Sequence, residues 1–224
     1  GIVQAFASKG HQVIIKGHRE ESLTKAISSL DRTLSKLVEK GKITSDEKDN
    51  TLANITTTIK YDEVKDMDLI GEDIKLKETV FKELDEICDE KTILATNTSS
   101  LSITEIAAFT KRPEKVIGMH FFNPVPLMKL AEIITGQLTS KETFDKVFSI
   151  AEQIGKVPVK VEESPGFVVN RILIPMINEA IGILSENVAS KEDIDEAMKL
   201  GANHPIGPLA LADLIGLDVC LAIM

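Results

Sequence analysis

The sequence predicts a doubly wound α/β domain over residues 1–163 and a smaller, all-helical domain over residues 164–224. The first observation is that short strand patterns rich in β-branched residues alternate with amphipathic helix patterns as far as Val161. The second is that helical periodicity alone follows Ser164, which marks a change of domain.

Composition excludes several classes of protein. The 224 residues include 26 Lys and Arg against 35 Asp and Glu, a formal net charge of −9, which argues against a nucleic-acid binder. Polar residues interrupt the apolar run that begins at Phe167, so we expect no membrane span, and the chain opens on no signal-peptide pattern. Cys88 and Cys220 lie far apart without metal-ligand spacing, which favours free thiols in a cytoplasmic protein without a metal site.

The predicted elements before residue 71 begin with a helix that stops at Gly10. They are a helix over 1–9, a strand over 12–16, a helix over 19–40, a short helix opened by Thr44, and strands over 55–61 and 67–70.

The remaining elements complete the alternation and then the helical domain. They are a helix over 77–88, a strand over 92–95, a helix opened by Ser102, strands over 116–122 and 127–134, a helix opened by Thr139, a strand over 157–161, a long apolar helix that starts at Pro165, and a helix over 191–200.

The stretch VIGMHFFNPVPLMKLAEIITG, residues 116–136, is typical of a hairpin with a proline-rich turn. If the turn centres near Pro126, His120 and Glu132 lie about opposite each other, and opposed side chains are roughly 5 Å apart at Cβ. A carboxylate beside an imidazole holds the ring in one orientation and stabilises its protonated form, which suits a general acid/base. A core histidine with a satisfied hydrogen bond is the alternative that the spacing leaves open.

Four separated blocks of the sequence resemble the L-3-hydroxyacyl-CoA dehydrogenase family, most closely its bacterial 3-hydroxybutyryl-CoA dehydrogenases. The blocks are HFFNPVPLMKLAEII, ATNTSSLSITEIA, PGFVVNRILIPMINEA and SKEDIDEAMKLGANHPIGPLALADLIGLD. They follow one another in the family's order and span nearly the whole chain, so the resemblance is specific.

The resemblance implies a Rossmann-type fold and the reversible reduction of acetoacetyl-CoA to (S)-3-hydroxybutyryl-CoA with a nicotinamide cofactor. It makes His120 the proton donor, Glu132 the residue that holds the imidazole, and Ser99 and Asn170 hydrogen-bonding partners of the substrate or the histidine. Ser99 also approaches substrate and nicotinamide in this interpretation. From the residues alone, Ser99 could equally be a turn residue, and Asn170 a helix cap or an interhelical hydrogen-bonding group.

The cofactor preference is predicted from the end of the second element. NAD-binding family members carry an acidic residue there, which accepts hydrogen bonds from the adenosine ribose. Here the position reads Lys16-Gly17-His18-Arg19, with Gly17 in the acidic place. Loss of the carboxylate and three nearby basic residues favour the 2′-phosphate of NADP, with NAD as the alternative. Solvated turn residues are the plainer interpretation of the same stretch.

The resemblance also assigns further contacts. Glu72, Lys77 and Asn123 correspond to cofactor contacts, and Lys40 and Thr33 to contacts with the coenzyme A moiety of the substrate. Without the resemblance, Glu72 and Lys77 would be charged residues in the first turn of a helix, and Lys40 part of a solvated helix face.

The sequence also departs from the family pattern. The family's glycine-rich phosphate turn, which precedes the first helix, is missing here, and so are about four residues near Ile70. Met224 falls within an apolar helix. We therefore expect a fragment of a longer protein that forms a homodimer or higher homo-oligomer. Two alternatives remain open: a longer-chain L-3-hydroxyacyl-CoA dehydrogenase of fatty-acid oxidation, and a non-catalytic relative that cannot hold a dinucleotide.

Overall fold

The computed structural model describes residues 1–72, 77–99 and 101–224, and the side chain of Glu72 lies outside the described part. The chain forms two compact units, Gly1–Glu163 and Ser164–Met224. In the described ranges every helix is too short or too polar to cross a membrane.

The first unit alternates strands and helices. Its elements are α1 (Ile2–Ala7), β1 (Val13–Lys16), α2 (Glu20–Glu39), α3 (Ser45–Ala53), β2 (Ile55–Thr58), β3 (Leu69–Glu72), α4 (Lys77–Ile87), β4 (Ile93–Thr96), α5 (Ile103–Ala107), β5 (Val116–Phe121), β6 (Leu130–Thr135), α6 (Lys141–Gln153) and β7 (Val157–Glu162), with short 3₁₀ turns at Tyr61–Glu63 and Pro113–Lys115.

The strands form two sheets. β1 and β2 are a parallel pair, and a second sheet has the order β3-β4-β5-β6-β7. All its neighbours are parallel except β5 and β6, which form the predicted antiparallel hairpin. The carboxyl ends of β3, β4 and β5 therefore lie at one edge of this sheet, where doubly wound proteins bind their ligands.

The core of the first unit lies between this sheet and its covering helices. Ile117 of β5 and Ile133 of β6 are fully buried, and Val147 and Ala151 of α6 pack in the same cluster with Ala5 of α1. Each buried Ile or Val stabilises the fold by about 1.5–3 kcal/mol. This packing fixes the strands that carry the candidate site.

The predicted caps at Thr44 and Ser102 are confirmed, but the prediction for α6 is wrong by one residue. Ser140 Oγ accepts from the N–H of Thr143 at 3.1 Å and caps the helix. Thr139 Oγ1 instead donates to the carbonyl oxygen of Val116 at 2.7 Å. Thr139 ties the loop to β5, which leaves the capping role to its neighbour.

The second unit consists of α7 (Val169–Ser185), α8 (Lys191–Gly201), α9 (Pro208–Ile215) and α10 (Leu217–Ile223). The prediction that a helix starts at Pro165 is wrong, because Gly166 and Phe167 have φ of +72° and +51°, which a right-handed helix excludes. Asn170 is therefore the second residue of α7. Four buried residues from three helices form one cluster of the core, namely Ile174, Ile177, Ala212 and Cys220.

Candidate active site

A buried histidine and glutamate form the centre of the candidate site. The register of the hairpin pairs His120 with Glu132, which confirms the predicted juxtaposition. His120 Nδ1 lies 2.8 Å from Glu132 Oε2, and the two side chains are 8% and 1% exposed. The catalytic role of the pair stays a prediction.

The surroundings of the pair hold the imidazole ring in place. Glu132 is buried in β6, between the fully buried Ala131 and Ile133. The bond between His120 Nδ1 and Glu132 Oε2 fixes the orientation of the ring. The ring of Phe122 packs against the imidazole with centroids 4.6 Å apart. The ring of His120 is thus held by a carboxyl group and by an aromatic neighbour.

The loop after β4 brings Ser99 to the same edge of the sheet. Asn97 Oδ1 accepts from the backbone N–H of Phe121 at 3.0 Å, which ties the loop to the residue next to His120. Thr98 Oγ1 accepts from the N–H of Leu101 at 2.9 Å. Ser99, half-buried, lies between these two anchors. Sequence reasoning missed Asn97 as an individual residue, although a polar side chain directly after a buried strand could have identified it.

Lys77 is also at this edge. It is the first residue of α4, only 9% exposed, and its Nζ donates to Thr96 Oγ1 at the end of β4 at 3.1 Å. Glu72, the last residue of β3, pairs in register with Thr96, but its side chain lies outside the described residues. Glu72 therefore ends the strand beside β4, and Lys77 opens a helix and contacts the end of β4.

The turn of the hairpin is held from within by a buried lysine. Asn123, a predicted cofactor contact, is exposed two residues after the end of β5. Lys156 Nζ donates to the carbonyl oxygen of Met128 at 2.8 Å and to that of Val125. Lys156 is 9% exposed, and burial lowers its pKa below the usual value. The sequence pattern does not reveal this role of Lys156, because its two carbonyl partners lie some thirty positions away.

The predicted NADP determinants lie together at the end of β1. His18 and Arg19 are exposed, and Lys16 Nζ lies 3.6 Å above the ring of Tyr61. A Cβ on Gly17 would approach Leu23 Cδ2 to 2.8 Å, so packing against Leu23 is itself a reason for glycine there.

The remaining predicted residues lie elsewhere. Thr33 and Lys40 are exposed on α2 and at its end, seven positions apart and so on one face of the helix. Thr33 Oγ1 donates within the helix to the carbonyl oxygen of Ser29 at 2.9 Å. Asn170 is half-buried in the helical unit. In residues 1–72, 77–99 and 101–224 no group of three or more His, Cys, Asp or Glu side chains could hold a metal ion.

A doubly wound sheet with polar residues at its carboxyl edge places the chain among the dinucleotide-binding α/β proteins. Residues 1–164 match the family model for the NAD-binding domain of 3-hydroxyacyl-CoA dehydrogenase, and residues 166–224 match that for its C-terminal domain. The chain therefore belongs to the 3-hydroxyacyl-CoA dehydrogenase family, which confirms the resemblance found in the sequence.

Relatives and solved structures agree with this assignment. The chain is 65% identical over its whole length to a 3-hydroxybutyryl-CoA dehydrogenase of Clostridioides difficile, of which it covers 81%. It is 43% identical to the mitochondrial hydroxyacyl-coenzyme A dehydrogenase of Homo sapiens, with 97% of this chain and 73% of that protein covered. The crystal structure of (S)-3-hydroxybutyryl-CoA dehydrogenase from Ralstonia eutropha superposes with a TM-score of 0.95 at 48% identity, over 99% of this chain and 80% of that one. The predicted fold class is confirmed.

Proposed function

We propose that this protein catalyses the reversible reduction of acetoacetyl-CoA to (S)-3-hydroxybutyryl-CoA. One observation carries the proposal: the buried His120–Glu132 pair, 2.8 Å apart, in a chain 65% identical along its length to a relative named for this activity. The pair supplies an imidazole that can donate a proton to the substrate oxygen and take it back in the reverse reaction.

The chemistry of the proton follows from the orientation of the imidazole. Because Nδ1 of His120 donates to Glu132, Nε2 is the nitrogen that exchanges a proton with the oxygen on C3 of the substrate. The carboxylate of Glu132 stabilises the imidazolium form. A positioned acid/base group contributes about 10²–10⁴ to the rate. A nicotinamide cofactor supplies the hydride to C3 when it is bound.

Two further residues complete the proposed site. Ser99 hydrogen-bonds the substrate oxygen or the histidine, and the bond between the loop after β4 and Phe121 supports this role. We propose the same role for Asn170, and the support for it is its place in the family motif PGFVVN. The cofactor contacts are Glu72, Lys77 and Asn123, supported by the burial of Lys77 at the carboxyl edge of the sheet.

The donor set at the end of β1 fits a dinucleotide, and we propose NADP rather than NAD. Gly17 offers no carboxylate to repel a 2′-phosphate, and exposed His18 and Arg19 offer positive charge and N–H donors. The packing of Leu23 against Gly17 is a competing reason for the glycine, so the test must depend on Arg19. We expect Arg19→Ala to lower kcat/KM for NADPH about tenfold while that for NADH stays within about twofold, since one charge-assisted hydrogen bond contributes about 1.5–3 kcal/mol.

Lys25→Ala is the matched control for Arg19→Ala, because Lys25 is an exposed cation on the same helix that pairs with Glu21. It should change neither cofactor constant. Equal losses with both cofactors in Arg19→Ala would contradict the NADP assignment.

The coenzyme A moiety is proposed to contact Lys40 and Thr33. Their exposure on one face of α2 supports an outlying contact with the nucleotide part of the substrate. Lys40→Ala should raise KM for acetoacetyl-CoA several-fold and leave KM unchanged for an acetoacetyl thioester of pantetheine, which lacks the phosphates. A rise in KM for both thioesters would contradict the contact.

We also propose a homodimer or higher homo-oligomer formed through the helical unit. Several apolar side chains of this unit are exposed, including Ile172 (67%), Leu200 (78%), Leu214 (76%) and Leu221 (72%). Burial of such side chains between subunits would favour association. Light scattering of the purified protein should give at least twice the monomer mass, and a monomer would contradict the proposal. Because Cys88 and Cys220 are free thiols, we propose a reducing compartment, the cytoplasm.

The activity is tested with the purified full-length protein and a series of 3-ketoacyl-CoA substrates. We expect oxidation of the reduced cofactor that depends on acetoacetyl-CoA, with kcat/KM falling as the acyl chain lengthens. A higher kcat/KM for long chains would instead support the longer-chain activity. Failure to turn over acetoacetyl-CoA with either NADPH or NADH would contradict the proposed function.

A further inference from the structure

We propose that Asn97 is a positioning residue of this active site, which acts by fixing Ser99 relative to His120. The inference rests on the proposed function, because it assigns a part to Asn97 in the same reaction. Neither the relatives' names nor the motifs of the sequence single out this side chain.

The parallel ladder between β4 and β5 ends before β5 does. The pairing runs from Leu94 opposite Val116 to Thr96 opposite Gly118 and then stops. β5 continues to Phe121, where it pairs on its other side with β6. The last residues of β5, which include His120, therefore extend past the end of β4.

Beyond the end of this ladder, the side chain of Asn97 takes the place of a backbone carbonyl of β4 as hydrogen-bond acceptor. Its Oδ1 accepts from the N–H of Phe121 at 3.0 Å, and Phe121 is only 8% exposed. A buried N–H without a partner is costly. The amide therefore adds one hydrogen bond to the sheet at the point where the main chain of β4 has already turned away.

Ser99 lies in the loop that the bond from Phe121 to Asn97 anchors. Ser99 is two residues after Asn97, and Thr98 Oγ1 accepts from the N–H of Leu101 at 2.9 Å. The loop is thus tied to β5 on one side of Ser99 and to itself across it. Since the residue that Asn97 holds is the one after His120, the bond sets the spacing of Ser99 and His120. A misplacement of about 1 Å at a reacting group can cost about 10² in rate.

The test compares kcat and KM in Asn97→Ala, Ser99→Ala and the double variant. We expect Asn97→Ala to lower kcat about tenfold or more with little change in KM for acetoacetyl-CoA, because geometry rather than binding is lost. If Asn97 acts through Ser99, the double variant should be hardly slower than Ser99→Ala alone. Asn97→Asp keeps an acceptor oxygen and should retain more of kcat than Asn97→Ala. Should Asn97→Ala fail to fold, Asn97→Ser replaces it in the same comparison.

Asn54→Ala is the matched control. The Asn54 side chain also joins separate segments, since its Nδ2 donates to the carbonyl oxygen of Ala7 at 3.0 Å and its Oδ1 accepts from Gln12. It precedes β2, and so lies at the amino end of a strand. Both variants should lower the melting temperature, but only Asn97→Ala should lower kcat.

Three results would overturn the inference: a kcat of Asn97→Ala within about twofold of wild type, an equal loss of kcat in Asn54→Ala, or losses in Asn97→Ala and Ser99→Ala that multiply in the double variant. A wild-type protein without acetoacetyl-CoA turnover would overturn the proposed function and this inference together. An active wild type with an unaffected Asn97→Ala would overturn the inference alone.

Discussion

Two buried pairs in the first unit, each a basic side chain beside a carboxyl group, have nearly the same geometry. Arg112 Nε lies 2.7 Å from Asp85 Oδ1, with side chains 12% and 4% exposed. His120 Nδ1 lies 2.8 Å from Glu132 Oε2, with side chains 8% and 1% exposed. Burial and distance therefore do not distinguish the pair proposed for catalysis from the other pair.

The two pairs differ in their basic residue, which is an arginine in one and a histidine in the other. Arg112 is always protonated, and it also donates to the carbonyl oxygens of Asp85 at 2.6 Å, of Cys88 at 3.2 Å and of Asp89. These carbonyls belong to the end of α4 and the residues after it, where carbonyls lack helical partners. An imidazole, unlike a guanidinium, has a neutral and a protonated form, and proteins use both in acid/base chemistry. We therefore expect the Arg112 pair to support the fold and the His120 pair to support chemistry.

The largest effect is expected from His120→Gln. The amide keeps polarity and approximate size but cannot exchange a proton, so kcat should fall about 10²–10⁴-fold. Steady-state kinetics gives kcat and KM, and circular dichroism checks that the fold is kept. Near-normal turnover by a folded His120→Gln would remove the distinction between the two pairs.

Arg112→Met should act on stability alone. Removal of one partner leaves the carboxylate of Asp85 buried without its counter-charge, which costs about 3–5 kcal/mol in the free energy of unfolding. Urea denaturation measures this loss, and kcat well below the melting temperature should match wild type. The control is Lys82→Met, since Lys82 pairs with Glu78 on the exposed face of α4 at 2.6 Å and should cost no more than about 0.5 kcal/mol. A fall in kcat at unchanged stability would assign Arg112 to the active site.

Glu132→Gln should have an intermediate effect on rate. The amide oxygen can still accept from Nδ1, but the imidazolium loses its counter-charge. A charge-assisted hydrogen bond contributes about 1.5–3 kcal/mol, which corresponds to a fall in kcat of about 10–10²-fold. Wild-type kcat in a stopped-flow single-turnover assay of Glu132→Gln would show that the carboxylate only supports the fold.

The smallest effect is expected from Lys156, a buried cation whose two partners are carbonyls rather than a carboxylate. Lys156→Met leaves both carbonyls without this donor, at a cost of about 1–2 kcal/mol in unfolding free energy. Burial lowers the pKa of Lys156 from 10.5. Between the lowered value and 10.5 the unfolded chain binds more protons than the folded one, so the contribution to stability rises with pH.

Urea unfolding of wild type and Lys156→Met at about pH 8 and about pH 10 tests this sign. The stability advantage of wild type should be larger at the higher pH. An advantage that shrinks as pH rises would contradict the burial of a charged amine at this position.

The sequence contained enough to pair His120 with Glu132, because their register depends only on where the turn is centred. The second strand nevertheless begins at Leu130 and not at Leu127. The N–H groups of Leu127 and Met128 donate to the carbonyl oxygen of Pro124 at 2.9 and 3.0 Å, so the turn takes up the residues that would have extended the strand. The predicted second strand thus starts too early, but the predicted pairing of His120 with Glu132 is still correct.

Other features depend on contacts between distant residues, which periodicity does not encode. Asn97 bonds to Phe121, 24 positions away, and Lys156 to Met128, 28 positions away. The late start of α7 comes from the positive φ of Phe167, which is unusual for a bulky residue. Gly17 is ambiguous for a different reason: its packing against Leu23 accounts for the glycine as well as the proposed cofactor preference does.

A double-mutant cycle on His120 and Glu132 tests whether the two residues act as one acid/base unit. kcat is measured for wild type, His120→Gln, Glu132→Gln and the double variant under one set of conditions. If Glu132 acts only through the imidazole, the double variant will be no slower than His120→Gln, because the carboxylate has no imidazolium left to stabilise. Losses that multiply in the double variant would show that the two residues act independently, and would contradict the pair as one acid/base unit.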